Sequence, residues 1–260
     1  MNQKKSPLVS VIIPAYDADE TIERAISSVR AQTYPNVQAV IIDDGSADHT
    51  TKKIKKFQNT SLELKFLHNS RNLGVSASRN LGIEIADGDW ITFLDADDHF
   101  KKDYIERVSA NFDKFDFICT SFSQIDEQGQ ERIRKHSIPE SMTLCDRVLL
   151  EYMEDYFFMP YKFTALMHCW NKFFRSDIIF DHKVNFDENL SQLEDIKFVS
   201  DYLRNSRQKI YFDYPGIVHS ITKDSNNLSS QSGIERGAPE NLIYALSSMK
   251  ILKDKLLACS

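Results

Sequence analysis

Cysteine is scarce in this chain of 260 residues, and the cysteines that are present form no metal-binding or redox motif. There are four of them, Cys119, Cys145, Cys169 and Cys259, and no two stand in a C-x-x-C pair. Neither a zinc knuckle nor a thioredoxin-like motif is therefore present. The chain is also too long for a typical disulfide-rich secreted scaffold, so we expect reduced thiols, as in a cytosolic protein.

Long apolar runs and a surplus of basic residues are missing as well. The apolar run behind the polar N-terminus spans only residues 8–13, and no run approaches the length of a transmembrane helix. The net charge is −6, whereas a general nucleic-acid binder is usually basic. We therefore expect a cytoplasmic protein with no nucleic-acid partner, either free or bound peripherally to the cytoplasmic face of the inner membrane.

The first half of the sequence contains a regular alternation of strand and helix patterns. Apolar runs predict strands over residues 8–13, 37–42, 64–67, 90–94 and 115–119, the first of them stopped by Pro14. Helical spacing predicts helices over 18–31, 48–57, 75–86 and 100–112. This alternation predicts an α/β fold with a mostly parallel central sheet flanked by helices. Ligands bind such sheets beyond the carboxyl ends of the strands.

The second half is less regular. Residues 123–138 predict a hairpin or loop, residues 147–170 are dense in aromatic side chains, and residues 193–203 have helical spacing. Residues 222–237 predict a mobile polar loop, and residues 240–257 an amphipathic helix.

The most informative pattern is an apolar strand that ends in three carboxylates, Asp95, Asp97 and Asp98. Like charges so close together are costly to keep ionised without a cation. Aspartate oxygens suit Mg²⁺, Mn²⁺ or Ca²⁺, and Mg²⁺ usually binds through one or two carboxylates plus substrate phosphates. A solvated acidic turn is the alternative, and the run alone leaves both interpretations open.

Two further segments of the first half carry polar groups near predicted strand ends or helix starts. Asp44 can accept hydrogen bonds from a base or a ribose, and Gly45 permits a sharp turn there. Arg79 offers a planar fork for a phosphate or for a neighbouring carboxylate. Close packing of a helix on the sheet is the interpretation that we favour for Gly82.

In the second half, two acids begin the predicted helix at Glu194 and Asp195. Either the helix dipole favours carboxylates at this position, or one of the two carboxylates is a general base. Trp170 either stacks on a sugar ring or packs in the core. His219 either completes a metal site or is merely hydrogen-bonded or exposed.

Taken together and in chain order, these segments resemble the family 2 glycosyltransferases with the GT-A fold. The resemblance covers roughly the first 220 residues. It implies a nucleotide-sugar-binding half over residues 1–120, an acceptor-binding half with the catalytic base over 121–222, and a mobile loop with a C-terminal helix over 223–260. The matching pieces are residues 11–16, Asp43 to Ser46, Asn72 to Gly82, Leu94 to Asp98, Trp170 to Phe173, and Glu194 with Asp195.

The resemblance also implies a role for individual residues. Asp17 stands where relatives often carry Asn, and the Gln-x-x-Arg-Trp motif of processive polymer synthases is absent. The implied cofactor is Mn²⁺ or Mg²⁺. The resemblance places Pro14, Tyr16 and Asp44 in the nucleotide pocket, Asp95 at the ribose or a metal-bound water, Asp97 on the cation, and Asp195 as the catalytic base with Glu194 beside it. To these we add Ala15, Arg79, Asp95 and Ala96 for nucleotide binding, Asp95 and His219 for metal binding, and Trp170 and Asn171 for acceptor binding.

The implied function is metal-dependent, inverting transfer of a sugar from a nucleotide sugar, with UDP the expected nucleotide. The expected acceptor is a saccharide or lipid-linked saccharide in lipopolysaccharide, lipooligosaccharide or capsule synthesis. The aromatic segment and the last helix either face such a lipid-linked acceptor or form ordinary core packing. The alternatives are a nucleotidyltransferase, whose Gly-rich basic N-terminal loop is missing, and a non-catalytic sugar-nucleotide-binding protein. A dehydrogenase is poorly supported, since no G-x-G-x-x-G follows the first strand.

Overall fold

A computed structural model describes residues 6–126, 128–134, 142–143, 168–190 and 193–220 of the chain. Within these ranges the strands are β1 (Val9–Ala15), β2 (Val37–Asp43), β3 (Glu63–His68), β4 (Trp90–Phe93), β5 (His99–Phe100), β6 (Phe117–Ile125), β7 (Glu131–Arg134), β8 (Met142–Thr143), β9 (Lys172–Arg175) and β10 (Lys209–Ser220). The helices are α1 (Ile22–Arg30), α2 (Thr50–Lys55), α3 (Val75–Ile85), α4 (Tyr104–Ser109), α5 (Ser176–His182) and α6 (Glu194–Leu203).

The first four strands form a parallel sheet in the order β3-β2-β1-β4. β1 and β2 are buried along almost their whole length, because helices cover the sheet and leave the strands no solvent face. Helix α3 packs closely on β1: a Cβ added at Gly82 would lie 2.4 Å from Ile12 Cγ2. This observation supports the close-packing interpretation of Gly82.

The sequence predicted that Pro14 stops the first strand, but Pro14 lies inside it. The carbonyl of Ile12 accepts a hydrogen bond from the amide of Leu94, so the backbone groups of Ile12 face the β4 side. Residues two apart in a strand face the same side, so the backbone nitrogen of Pro14 also faces the β4 side. The pairing of β1 with β4 has ended beyond Ile12. The missing N–H of Pro14 therefore costs no hydrogen bond of the sheet, and β1 continues along β2 to Ala15.

The prediction of an α/β fold is confirmed: the first four strands are parallel, and the rest of the sheet is mixed. β9 runs antiparallel between β4 and β6, and β10 lies parallel to β6. Strand β7 forms a hairpin with β6, within the segment where a hairpin or loop was predicted. Local patterns could not predict this arrangement, because β9 inserts between two strands that precede it in the chain.

The predicted helix over residues 100–112 is wrong at its start. His99 and Phe100 form β5, which pairs with β10, and helix α4 begins only at Tyr104. Phe100 is 3% exposed, so its apolar side chain is buried by strand pairing rather than by a helix. The predicted loop over 222–237 and helix over 240–257 lie outside the described residues, as does 147–167 of the aromatic segment.

An aromatic cluster joins the two halves of the chain. Phe93 of β4 makes edge contacts with Phe174 of β9, Phe186 and Phe198 of α6, at centroid distances of 6.0, 5.3 and 5.7 Å. Phe186 and Phe198 stack at 4.1 Å. The start of α6 is thereby fixed beside the carboxyl end of β4. None of the helices in the described part of the chain is both long enough and apolar enough to cross a membrane.

Candidate active site

Polar side chains collect at the carboxyl ends of β1, β2 and β4, the edge at which the sequence predicted ligand binding. Tyr16 follows β1 directly and is 52% exposed, which leaves its ring open to a ligand. Asp95 and Asp97 follow β4 and are partly exposed. Pro14 and Ala15 end β1, and Ala96 lies between the two acids, so these predicted contacts share one edge of the sheet.

Asp44 at the end of β2 is only 3% exposed, and internal donors already surround its carboxylate. One oxygen accepts hydrogen bonds from Asn69 Nδ2 at 2.8 Å and from the amide of Leu73 at 2.9 Å. The other accepts from the amide of Gly74 at 2.8 Å. Asp44 thus fixes the loop before α3, a role that its sequence pattern did not reveal. Its predicted contact with the nucleotide stays a prediction.

The turns beside Asp44 need backbone conformations that few residues adopt. Gly45 has φ +78°, and a Cβ there would lie 2.6 Å from the backbone carbon of Arg71. Asp17 has φ +44° and accepts a hydrogen bond from the amide of Ala47 at 2.8 Å. Asp and Asn both tolerate this left-handed region, so Asp17 in place of Asn changes little.

The third acid after β4, Asp98, is fully buried and pairs with His219. The distance from His219 Nδ1 to Asp98 Oδ1 is 2.9 Å. Burial, together with the charges of Asp95 and Asp97, raises the pKa of Asp98 to about 6 despite this contact. Burial alone would lower the pKa of His219, but the bond to Asp98 and the nearby carboxylates raise it to about 9. Asp98 thus engages Nδ1 of His219, and the predicted contact of His219 with a metal stays a prediction.

Asp95 and Asp97 are the two carboxylates of this run that are partly exposed and open to a cation. Within the described residues, no group of three or more His, Cys, Asp or Glu side chains converges as a metal site would require. A cation of the Mg²⁺ type does not need such a group, because one or two carboxylates and the phosphates of a substrate complete its shell. The donor set therefore fits a cation that binds together with a phosphorylated ligand.

Arg79 of α3 links these acids to those of α6. Its guanidinium lies 2.8 Å from Asp195 Oδ1, 3.2 Å from Asp95 Oδ1 and 3.4 Å from Glu194 Oε1. Burial alone would lower the pKa of Arg79, but Asp195 and the other carboxylates raise this pKa well above its usual value. Its side chain is only 5% exposed. Of the two roles that the sequence left open, the structure favours pairing with carboxylates and argues against a phosphate contact.

Glu194 and Asp195 begin helix α6, as predicted. Asp195 Oδ2 accepts a hydrogen bond from the amide of Cys169 at 3.2 Å, so both of its oxygens are held. Burial and the charge of Asp195 raise the pKa of Glu194, although Arg79 lowers it. Leu193, just before the helix, has φ +65°, which is costly for a branched residue. Sequence reasoning missed Cys169 and Leu193, since neither residue type signals such a position.

The predicted acceptor contacts at Trp170 and Asn171 are contradicted by their burial. The Trp170 ring stacks on His168 at 4.9 Å and on His219 at 5.7 Å, and it is 4% exposed. Asn171 is fully buried and donates a hydrogen bond from Nδ2 to the carbonyl of Thr120 at 2.8 Å. An indole that is 4% exposed leaves no ring face open for a sugar to stack on. Cys119 and Cys169 are free buried thiols, as expected.

Comparison with known proteins identifies relatives of this chain. A family model described as "Glycosyl transferase family 2" matches residues 10–180. An uncharacterized glycosyltransferase of Haemophilus influenzae is 27% identical over 263 residues, covering 94% of this chain and 76% of that protein. The putative teichuronic acid biosynthesis glycosyltransferase TuaG of Bacillus subtilis is 33% identical over 144 residues, covering 54% of this chain and 56% of TuaG.

Solved structures share the fold. Residues 1–349 of S. aureus TarS in complex with UDP match with a TM-score of 0.73 and 20% identity, over 94% of this chain and 65% of the TarS chain. The same TarS fragment in complex with UDP-GlcNAc matches with a TM-score of 0.76 and 20% identity, over 94% of this chain and 66% of that one. The chain thus spans about two thirds of the length of these neighbours.

Proposed function

Because the chain belongs to glycosyltransferase family 2, we propose that it moves a sugar from a UDP-sugar, with inversion, onto a hydroxyl of a saccharide acceptor. The contact that carries this proposal is the bridge by Arg79 from Asp95 to Asp195. One guanidinium brings the acidic strand end, where a nucleoside diphosphate would bind, next to a candidate base. A transferase needs both groups in one cleft.

The donor would bind along the carboxyl ends of β1, β2 and β4. The exposed ring of Tyr16 would contact the base, and the loop that Asp44 holds would close one side of the pocket. Asp95 would bind the ribose. The TarS fragments that share this fold were solved with UDP and with UDP-GlcNAc, which supports a uridine nucleotide.

The reaction would be a single displacement. Asp195 accepts the proton of the acceptor hydroxyl while that oxygen attacks the anomeric carbon. Attack from the face opposite the departing diphosphate inverts the anomeric configuration. A bound Mn²⁺ or Mg²⁺, held by Asp97 and Asp95, would offset the negative charge that develops on the diphosphate. Arg79 and the Cys169 amide keep the Asp195 carboxylate in one orientation.

The acceptor would belong to a cell-surface polysaccharide such as lipopolysaccharide, lipooligosaccharide or capsule. The name of TuaG, which refers to teichuronic acid biosynthesis, supports this class of acceptor. Peripheral binding to the inner membrane stays a prediction, because the segments concerned lie almost entirely outside the described residues. Cosedimentation with anionic liposomes at low salt tests it, and protein that stays in the supernatant would contradict it.

A donor screen tests the proposed function. Purified protein with Mn²⁺ is incubated with each common sugar nucleotide, and release of nucleoside diphosphate is measured with and without chelator. We expect metal-dependent release from one UDP-sugar, lost in Asp97→Ala and retained in Asp181→Ala, an exposed aspartate on α5. Release of pyrophosphate from a nucleoside triphosphate would instead indicate a nucleotidyltransferase. Tight UDP binding without release from any donor, in the presence of acceptor extracts, would indicate a non-catalytic binder.

A further inference from the structure

Lys172, at the start of β9, is a charged residue that the proposed mechanism does not use. Its side chain is fully buried, and burial lowers its pKa. Its ammonium donates hydrogen bonds to the carbonyl of His168 and to Asn171 Oδ1, the latter at 2.6 Å. A buried ammonium is costly unless such acceptors compensate it, and both acceptors lie in the residues just before β9.

The segment that Lys172 binds, residues 168–171, reaches the candidate base. The amide of Cys169 donates a hydrogen bond to Asp195 Oδ2 at 3.2 Å. Arg79 holds the other oxygen of Asp195, at 2.8 Å. The orientation of this carboxylate therefore depends on one donor from α3 and one from the 168–171 segment.

The same segment is also fixed to β6. Asn171 donates from Nδ2 to the carbonyl of Thr120 at 2.8 Å, and the amide of Thr120 donates to the carbonyl of Asn171 at 2.9 Å. Asn171 thus receives Lys172 on its oxygen and binds β6 through its nitrogen. Lys172 completes a closed set of hydrogen bonds around a segment that has no helix or strand of its own.

We infer that Lys172 is a positioning residue: by holding residues 168–171 it keeps the Cys169 amide on Asp195. The inference rests on the proposed function only in its claim about turnover. The geometric claim, that Lys172 fixes this segment, stands apart from any activity. Each claim therefore has its own measurement.

The test compares Lys172→Met with Lys209→Met. Lys209 is also a buried lysine, 2% exposed. It lies on β10, where its backbone is in register with Phe117 at the beginning of β6, away from the 168–171 segment. Native-state hydrogen exchange, read by mass spectrometry on peptides covering residues 168–171, reports the geometry. UDP release and UDP affinity, with the donor found in the screen, report the catalytic effect. Lys172→Gln, which retains an N–H donor, serves as the conservative variant.

We expect faster exchange at residues 168–171 in Lys172→Met only, with partial recovery in Lys172→Gln. We also expect kcat to fall by about tenfold or more, since a small misplacement of a reacting group is that costly, while UDP affinity stays within about twofold. Unchanged exchange in Lys172→Met would overturn the inference, even if the protein released UDP from no donor. Faster exchange with an unchanged kcat would overturn it as well. Absence of turnover in the wild type would count against the proposed function alone, because the exchange result would still decide the role of Lys172.

Discussion

The loops after β1 and β4 keep Tyr16, Asp95 and Asp97 at least partly exposed, whereas the segment that enters β9 buries Trp170, Asn171 and Lys172. Both regions combine aromatic and polar residues, so residue type does not distinguish them. Their surroundings do. The loops project beyond the carboxyl ends of β1 and β4, whereas the segment before β9 packs against β6 and His219. Similar motifs thus stay open to solvent in one region and support a neighbouring side chain in the other.

The two regions meet at Asp195, where we expect the largest effect. Asp195→Asn keeps the shape of the side chain but removes its ability to accept a proton. Turnover should fall by about 10²- to 10⁴-fold, the usual contribution of a general base. The measurement is kcat for UDP release in the presence of acceptor. Asp201→Asn, on the same helix and paired with Lys197 at 2.8 Å, is the control and should stay near wild type. Comparable kcat values for the two variants would refute the assignment.

Arg79→Met tests whether the two regions depend on one cation. The change leaves Asp95, Glu194 and Asp195 without their shared partner in a buried site. The free energy of unfolding should fall by about 3–5 kcal/mol, as when one member of a buried ion pair is removed. Urea denaturation measures this fall. Arg107→Met, which removes an exposed ion pair with Asp103, should leave the unfolding midpoint almost unchanged. Equal midpoints for both variants would mean that water solvates the carboxylates around Arg79.

Tyr16→Ala sharpens the comparison on the exposed side. If the ring stacks on the base, UDP binding should weaken by about 1–3 kcal/mol, the usual range for aromatic stacking on a base. Titration calorimetry with UDP measures the loss. The free energy of unfolding should not change, since the ring is 52% exposed. Phe180→Ala, on α5 and 49% exposed, is the control and should bind UDP as the wild type does. UDP affinity that is equal in both variants would remove Tyr16 from the pocket.

Trp170→Phe tests the buried side, where we expect the smallest effect on substrate binding. The His168 and His219 rings cover the indole, so the KM for the acceptor should stay within about twofold, well below the cost of a lost stacking contact. The free energy of unfolding should fall, because the smaller ring fills the site less well. Steady-state kinetics with the acceptor found in the transfer assay measure the KM. A large rise in KM without loss of stability would restore Trp170 as an acceptor contact.

The elements that sequence reasoning predicted well are those defined by local patterns. Apolar periodicity predicts the four parallel strands, helix α3 and helix α6. Once β2 and β4 are predicted, the acids at their ends can be located from the sequence. The errors come from contacts between distant segments. Phe100 joins a strand because β10 offers it an edge, and β1 runs through Pro14 because β4 has already diverged. No pattern within the segment itself could have indicated either.

For the site, the sequence determined which groups are available, and the tertiary structure decided which of them pair. The carboxylates at strand ends and at the start of α6 could be identified from the sequence, because their positions depend only on neighbouring residues. The partners of Arg79 and His219 could not, since Asp195 lies 116 residues from Arg79 and Asp98 lies 121 residues from His219. A buried charge pairs with whatever opposite charge packing brings within a few ångströms. That choice paired Arg79 with Asp95 and Asp195, and His219 with Asp98.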